Sequence, residues 1–174
     1  MRFFIGSSSN GVIYAEALRN HMKAFACDEE EIKCDIWSDP NMFDLNYAAI
    51  DSLFRIADEL KEDDGYAVLL FTPDDEVRMN SGFRRKGFDK AILSPRDNVV
   101  FELGLFLGRL GRKRVICLSP RNIDMRVMSD WQGMMNVQYD FKRTYTNGSM
   151  IEPAQTIIRA VGMDEHTYIN NLFL

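Results

Sequence analysis

Tyr66-Ala-Val-Leu-Leu-Phe-Thr72 is an almost continuous apolar run, preceded by Glu62-Asp-Asp-Gly65 and followed at once by Pro73. A strand facing solvent on one side would alternate apolar and polar residues. One without alternation is buried on both faces, as in the centre of a parallel sheet. Its flanks agree. Upstream, Ile50, Leu53, Phe54, Ala57 and Leu60 recur at helical spacing over Ala48 to Lys61. Downstream, Ser94 to Gly111 reads as a second helix, so the strand lies between two helices.

Outward from this centre the pattern repeats. Arg2 to Gly6 is a short apolar strand, Gly6-Ser-Ser-Ser-Asn-Gly11 a polar turn, and Val12, Ala15, Leu18, His21, Met22 and Phe25 carry a helical period. The turn resembles a phosphate cradle, because glycine and serine leave backbone N–H groups free near a helix start. A Walker A loop is excluded, since Val12 follows Gly11 where Lys would be required. After the acidic connector Cys27 to Glu31, Ile32 to Ser38 is a strand, and Asp39 to Asn46 is a loop holding the apolar pair Met42-Phe43. Pro73 to Leu93 is a long polar loop whose basic cluster, Arg84, Arg85, Lys86 and Lys90, reads as a solvated face. Lys113 to Ser119 is a fourth strand, Ile123 to Met128 a short helix, Met134 to Tyr139 a fifth strand, and Phe141 to Ser149 a connector. Ile151 to Gly162 is a final amphipathic helix. Strands alternating with helices predict an α/β fold: a five-stranded parallel sheet covered on both faces. Ligands of such sheets bind beyond the carboxyl ends of the strands, at the topological switch point. The loops Gly6–Gly11, Asp39–Asn46 and Pro73–Leu93 converge there.

The helix from Ser94 also enters at that end. Ser94 as N-cap, Pro95 in the first turn and Asp97 three residues on predict a capping box, with Gly111 ending the helix. From Val99 to Leu110 it is apolar nearly all round, which predicts burial on most faces. Gly104 and Gly108, one turn apart, would let the sheet approach. Asn98, Glu102 and Arg109 form one narrow polar stripe. A carboxylate there is costly to desolvate unless it is paired or faces a cavity. Glu102 is therefore either a structural carboxylate, paired with Arg109 or a distant base, or a catalytic group at the floor of a cleft.

Composition narrows the classes. With 174 residues and 46% hydrophobic residues, one packed domain is expected. A formal net charge of −5 argues against direct nucleic-acid binding. No apolar stretch approaches the roughly 20 residues of a membrane span. Three cysteines, Cys27, Cys34 and Cys117, occur without a C-x-x-C pair, and the two histidines are far apart. Neither a disulfide framework nor a metal site is implied, and a reducing cytoplasm is the simplest setting.

Four segments together resemble the bacterial TIR-like family of anti-phage defence. They are Phe4-Ile-Gly-Ser-Ser-Ser-Asn-Gly11 with Ala15-Glu-Ala-Leu18; Ile36-Trp37 with Phe43; Leu70-Phe-Thr-Pro-Asp-Asp75 with Arg78; and Arg96-Asp-Asn-Val-Val-Phe-Glu-Leu-Gly104 continuing to Gly111. The resemblance spans roughly residues 2 to 140. It implies a flavodoxin-like, three-layer TIR domain over residues 1–162, with 163–174 a tail or a linker to a sensor. It implies NAD+ hydrolysis, NAD+ being a substrate with no cofactor or metal, and gives Glu102 the place of the catalytic glutamate. It implies that Gly6, Ser7, Ser8, Trp37 and Phe43 line the pocket, that Asp74 and Arg78 edge it, and that Asn98 stands beside the glutamate. Trp37 and Phe43 read equally well as core. The partners implied are further TIR copies and a fused or separate cyclic-nucleotide sensor. Two other readings stay open: a TIR module that only self-associates to signal, and a nucleoside deoxyribosyltransferase-like N-glycosidic enzyme.

Overall fold

The computed structural model of the chain describes residues 1–26, 32–40, 42–43, 48–78, 91–126, 133–142 and 146–163. The central sheet consists of β1 (Arg2–Ser7), β2 (Lys33–Ile36), β3 (Tyr66–Leu70), β6 (Val115–Pro120) and β7 (Met135–Tyr139). Between β3 and β6 the chain adds two short strands, β4 (Asp75–Val77) and β5 (Ile92–Ser94), which pair antiparallel to each other. The helices are α1 (Val12–Phe25), α2 (Ala49–Glu62), α3 (Asp97–Leu110), α4 (Thr146–Ser149) and α5 (Ile151–Ala160).

The central strands are all parallel, in the order β2-β1-β3-β6-β7. The chain leaves β1 to one side for β2 and then crosses to the other for β3. The switch point thus lies between β1 and β3, where Gly6 pairs with Leu69 and Ser7 with Leu70.

Successive strand residues point to opposite faces, so each strand feeds two cores. On one face Phe3, Ile5, Val68, Leu70, Ile116 and Leu118 meet Leu18 and Met22 of α1 and Ile157 and Ile158 of α5. On the other, Phe4, Ala67, Leu69, Val115 and Cys117 meet Leu53, Ile56 and Leu60 of α2 and Val99, Leu103 and Phe106 of α3. The rings of Phe4 and Phe106 lie 5.2 Å apart at its centre. Cys34 and Cys117 are buried free thiols, as small apolar side chains in strands should be.

The two ends of the sheet are closed differently. At the amino end, Arg2 reaches Asp35 at 3.3 Å, Glu59 at 2.8 Å and Asp63 at 3.1 Å, tying β1 to β2 and α2. At the carboxyl end, β3 is prolonged past Leu70. The Phe71 N–H donates to Leu118 O at 2.8 Å, and the buried Tyr139 hydroxyl donates to Phe71 O at 2.7 Å.

Four expectations need correction. First, α3 begins at Asp97, with Arg96 as its cap residue in extended geometry (φ −57°, ψ 134°) and no side-chain cap bond. Ser94 is held as the last residue of β5 opposite Asp75, and its hydroxyl donates to Pro95 O. It is therefore too far back to cap the helix, and Asp97 instead accepts from the N–H of Asn98 at 2.8 Å. Second, α3 buries only Val99, Leu103, Phe106 and Leu110 in full, and Phe101 is 55% exposed. Third, Gly104 and Gly108 lie on the open side: a Cβ at either would meet nothing within 4 Å. The sheet packs on the opposite stripe, and α2 lies alongside. Fourth, no helix occupies residues 123–126; Met125 makes an isolated bridge to Leu93, while 127–128 fall outside the described residues. Gly111 does end α3, at φ +76° with its N–H on Leu107 O.

These placements set opposite expectations for two substitutions. Phe106→Ala should lower stability by about 3–5 kcal/mol in urea denaturation, because it empties the middle of one core. Gly108→Ala should raise it by roughly 0.5–1 kcal/mol, because the helix gains propensity and no atom stands in the way.

Candidate functional site

The carboxyl ends of β1 and β3 open into a cleft of about 290 Å3, lined by Ser7, Ser8, Ser9, Asn10, Trp37, Asp74, Arg96, Asn98, Val99 and Glu102. That volume is at the small end of the range for ligand sites.

Glu102 forms the floor. Its Oε2 is buried and has no hydrogen-bond partner among the described residues. The same oxygen lies 3.0 Å from where a Cβ on Gly6 would stand, and Leu69 Cδ1 lies 2.7 Å from it. A side chain at position 6 would therefore press on the ends of the Leu69 and Glu102 side chains. Arg109 does not pair with Glu102. It lies 3.5 Å from Asp58 and over the Phe54 ring at 4.9 Å, on the shoulder between α2 and α3. With no cation beside it among the described residues, Glu102 is governed by desolvation, which pushes its pKa from 4.5 up to about 7.

The turn after β1 is bound to the turn after β3 by a chain of hydroxyls. The Ser8 hydroxyl accepts from the Gly11 N–H at 3.2 Å and bonds Thr72 Oγ1 at 3.0 Å. Thr72 donates to Asp74 Oδ2 at 2.8 Å. A carboxylate only accepts, so Thr72 spends its single proton there and Ser8 must be the donor to Thr72. The other Asp74 oxygen accepts from Asn10 Nδ2 at 2.9 Å. One carboxylate thus closes both turns over the cleft.

Trp37 follows β2. Its indole N–H donates to Ser7 Oγ at 2.9 Å, and its backbone N–H to Ile5 O at 3.1 Å. The turn behind it is held by Asp39, which accepts from the Ile36 N–H at 2.7 Å and from Arg19 at 2.8 Å. The indole therefore stands as a fixed wall of the cleft.

Of the residues singled out in the sequence, the structure brings Ser7, Ser8, Trp37, Asp74, Asn98 and Glu102 to one cleft, with Gly6 directly beneath the carboxyl. Phe43 and Arg78 are not among the lining residues. Phe43 packs on the α2–α3 core, and Arg78 is exposed beyond the end of β4. The basic cluster at Arg84, Arg85, Lys86 and Lys90 lies outside the described residues. Asn10, Thr72 and Arg96 were not anticipated. Asn10 lies in the turn already marked, and Thr72 immediately precedes the Pro-Asp pair that bends the chain back. Arg96 heads the run that carries Asn98 and Glu102, a spacing that could have found it. Arg96 reaches Asp75 of β4 at 2.9 Å, with its side chain 55% exposed at the rim. Among the described residues no three His, Cys, Asp or Glu side chains cluster closely enough to hold a metal ion, and no helix is long and apolar enough to cross a membrane.

Comparison with known proteins places relatives beside this geometry. The family model described as "CAP12/Pycsar effector protein, TIR domain" matches residues 2–141. The Pycsar effector protein PaPycTIR of Pseudomonas aeruginosa is 30% identical over 159 residues, covering 91% of this chain and 46% of that protein. A CD-NTase-associated protein 12 from a Lachnospiraceae bacterium is 33% identical over 139 residues, 80% of this chain and 37% of that protein. The Pycsar effector protein BcPycTIR of Burkholderia cepacia is 46% identical over 66 residues, 38% of this chain and 22% of that protein. The chain spans less than half the length of these relatives.

The raised Glu102 pKa has a measurable sign. The folded chain keeps a proton that the unfolded chain releases above about 4.5, so this group favours folding below that value. As pH rises, the advantage is lost, and the penalty is complete above about 7. Glu102→Gln removes the penalty. Its stability gain over the parent, measured by denaturation at each pH, should grow between these values and level off at up to about 3 kcal/mol. A difference flat with pH would contradict the desolvated carboxyl.

Proposed function

The chain belongs to the bacterial anti-phage TIR family of CAP12 and Pycsar effectors, and we propose that it is an NAD+ hydrolase cleaving the nicotinamide–ribose bond. One observation carries this reading: a Glu102 carboxyl whose Oε2 is buried without a partner among the described residues, at the floor of a cleft at the switch point. A module that only self-associates has no need of such a group, and keeping it desolvated costs stability.

The chemistry suits what the cleft offers. Breaking the C1′–N bond sends the bonding pair to the pyridinium nitrogen, and nicotinamide leaves neutral without a general acid. C1′ and its ring oxygen carry the positive charge in an oxocarbenium-like state. Water adds to C1′ and releases a proton, completing ADP-ribose. Glu102 ionised in a dry cleft stabilises the developing cation far better than it would in water. The substrate assists, because a pyridinium beside Glu102 favours the carboxylate and draws its pKa down. The fixed Trp37 indole offers a face for the nicotinamide ring, and the Ser7–Ser8 turn offers hydroxyls near the ribose.

The relatives' names join them to CD-NTases and to Pycsar systems, a cyclic-nucleotide signalling setting. On that ground the activator is a cyclic-nucleotide sensor that gathers TIR copies, and the isolated chain works best at high concentration.

Nicotinamide release from NAD+, followed by chromatography at high protein concentration, tests the reading. Glu102→Gln should cut it by at least about a hundredfold while leaving the circular-dichroism spectrum unchanged. For the parent chain, kcat/KM should rise with pH through about 7 as free Glu102 ionises. Undiminished release in the variant would remove Glu102 from the chemistry.

A further inference from the structure

A dinucleotide seated with its reacting ribose over Glu102 carries its diphosphate toward the mouth of the cleft, and the group at that rim is Arg96. Among the described lining residues it is the one cation; Asp74 and Glu102 are the acids. Arg96 precedes Glu102 by six residues, about 9 Å along the helix axis at 1.5 Å per residue. The diphosphate carried on the 5′ oxygen of a ribose seated over Glu102 would lie across a gap of that order. Asp75, the present partner of Arg96, is also at the surface, with its side chain 37% exposed. An exposed pair of this kind is held weakly. A diphosphate offers the guanidinium stronger, two-pronged acceptors than one exposed carboxylate.

The geometry points to Arg96 as the phosphate-binding residue of the site, exchanging Asp75 for the substrate's diphosphate and so selecting a dinucleotide over a neutral nucleoside. This rests on the reading of Glu102 as the residue at the reacting ribose. It adds a determinant the cleft itself cannot supply, since hydroxyls, an indole and an amide accept any ribosyl pyridinium alike. Arg96 touches the phosphates and not the reacting atoms, so it is a specificity residue. Asp75 then acts as an internal competitor: when the cleft is empty it neutralises the guanidinium and fixes β4 against the start of α3.

Calorimetric titration of the whole chain tests this, in a Glu102→Gln background so that NAD+ is not consumed. Three ligands are compared: NAD+, ADP-ribose and nicotinamide riboside. Adding Arg96→Gln should weaken NAD+ and ADP-ribose about tenfold or more, the usual worth of a hydrogen bond to a charged group, and change nicotinamide riboside less than twofold. Arg96→Lys should recover part of the loss. Asp75→Asn should act in the opposite direction and tighten NAD+ severalfold, because it frees the guanidinium. A merely structural ion pair predicts that both variants weaken all the ligands alike, and that result overturns the assignment. So does unchanged NAD+ affinity in Arg96→Gln, or an Asp75→Asn protein that binds NAD+ no tighter than before. Phosphate-dependent binding through Arg96, with nicotinamide release undiminished by Glu102→Gln, would remove Glu102 from the chemistry while the phosphate contact stands.

Discussion

Glu102 reaches the floor of the cleft over Gly6, from which no side chain projects. Its Oε2 stands 3.0 Å from the position a Cβ would take, and Leu69 closes the space from the other side. The contact packs the Glu102 carboxyl against the end of β1. It also keeps water from the carboxyl, which is why the neutral form is favoured. A methyl group at position 6 would push on the Glu102 carboxyl and the Leu69 side chain. The register of β1 with β3 sets Gly6 beside Leu69 at this contact.

Around that contact the site is held by short-range polar links. Asp74 joins the turns after β1 and β3 through Asn10, Thr72 and Ser8, and Ser7 fixes the Trp37 indole. Every link is satisfied within the protein, so the walls of the cleft are set before any ligand arrives. Glu102 is the exception, the one buried side-chain oxygen without a partner among the described residues. A built wall around an unsatisfied acid is what preorganised electrostatic stabilisation requires.

Much of this was legible in the chain. An apolar run without alternation marked Tyr66–Thr72 as a central strand and Lys113–Ser119 read as a fourth, and the intervening helical periods implied a parallel sheet; in the structure these are β3 and β6. Misreadings arose where local chemistry was judged without its neighbours. Ser94, Pro95 and Asp97 have the composition of a capping box, but Ser94 is claimed by the pairing of β5 with β4, which no local pattern reveals. A helix apolar all round suggested burial all round. In the structure one apolar stripe meets the sheet, while Phe101 joins Ile50 and Phe54 among the exposed large apolar side chains of α3 and α2. Small residues at 104 and 108 implied close approach, and their direction followed only from which stripe the sheet took. Arg96 was not singled out, because its place at the rim depends on the β4–β5 ribbon, three residues a strand inside a loop that looked merely polar.

The Arg2 cluster gives the sheet an anchored end and leaves the other for chemistry. Five steps of strand separate Arg2 from Ser7, roughly 17 Å. That is about twice the screening length of physiological salt, so exposed charges at one end scarcely register at the other. Charge on the anchored surface is therefore free to drift over evolutionary time. The acidity of Glu102 is set by the few groups that bury it, and a lineage can restyle most of its exterior while the pocket keeps its tuning.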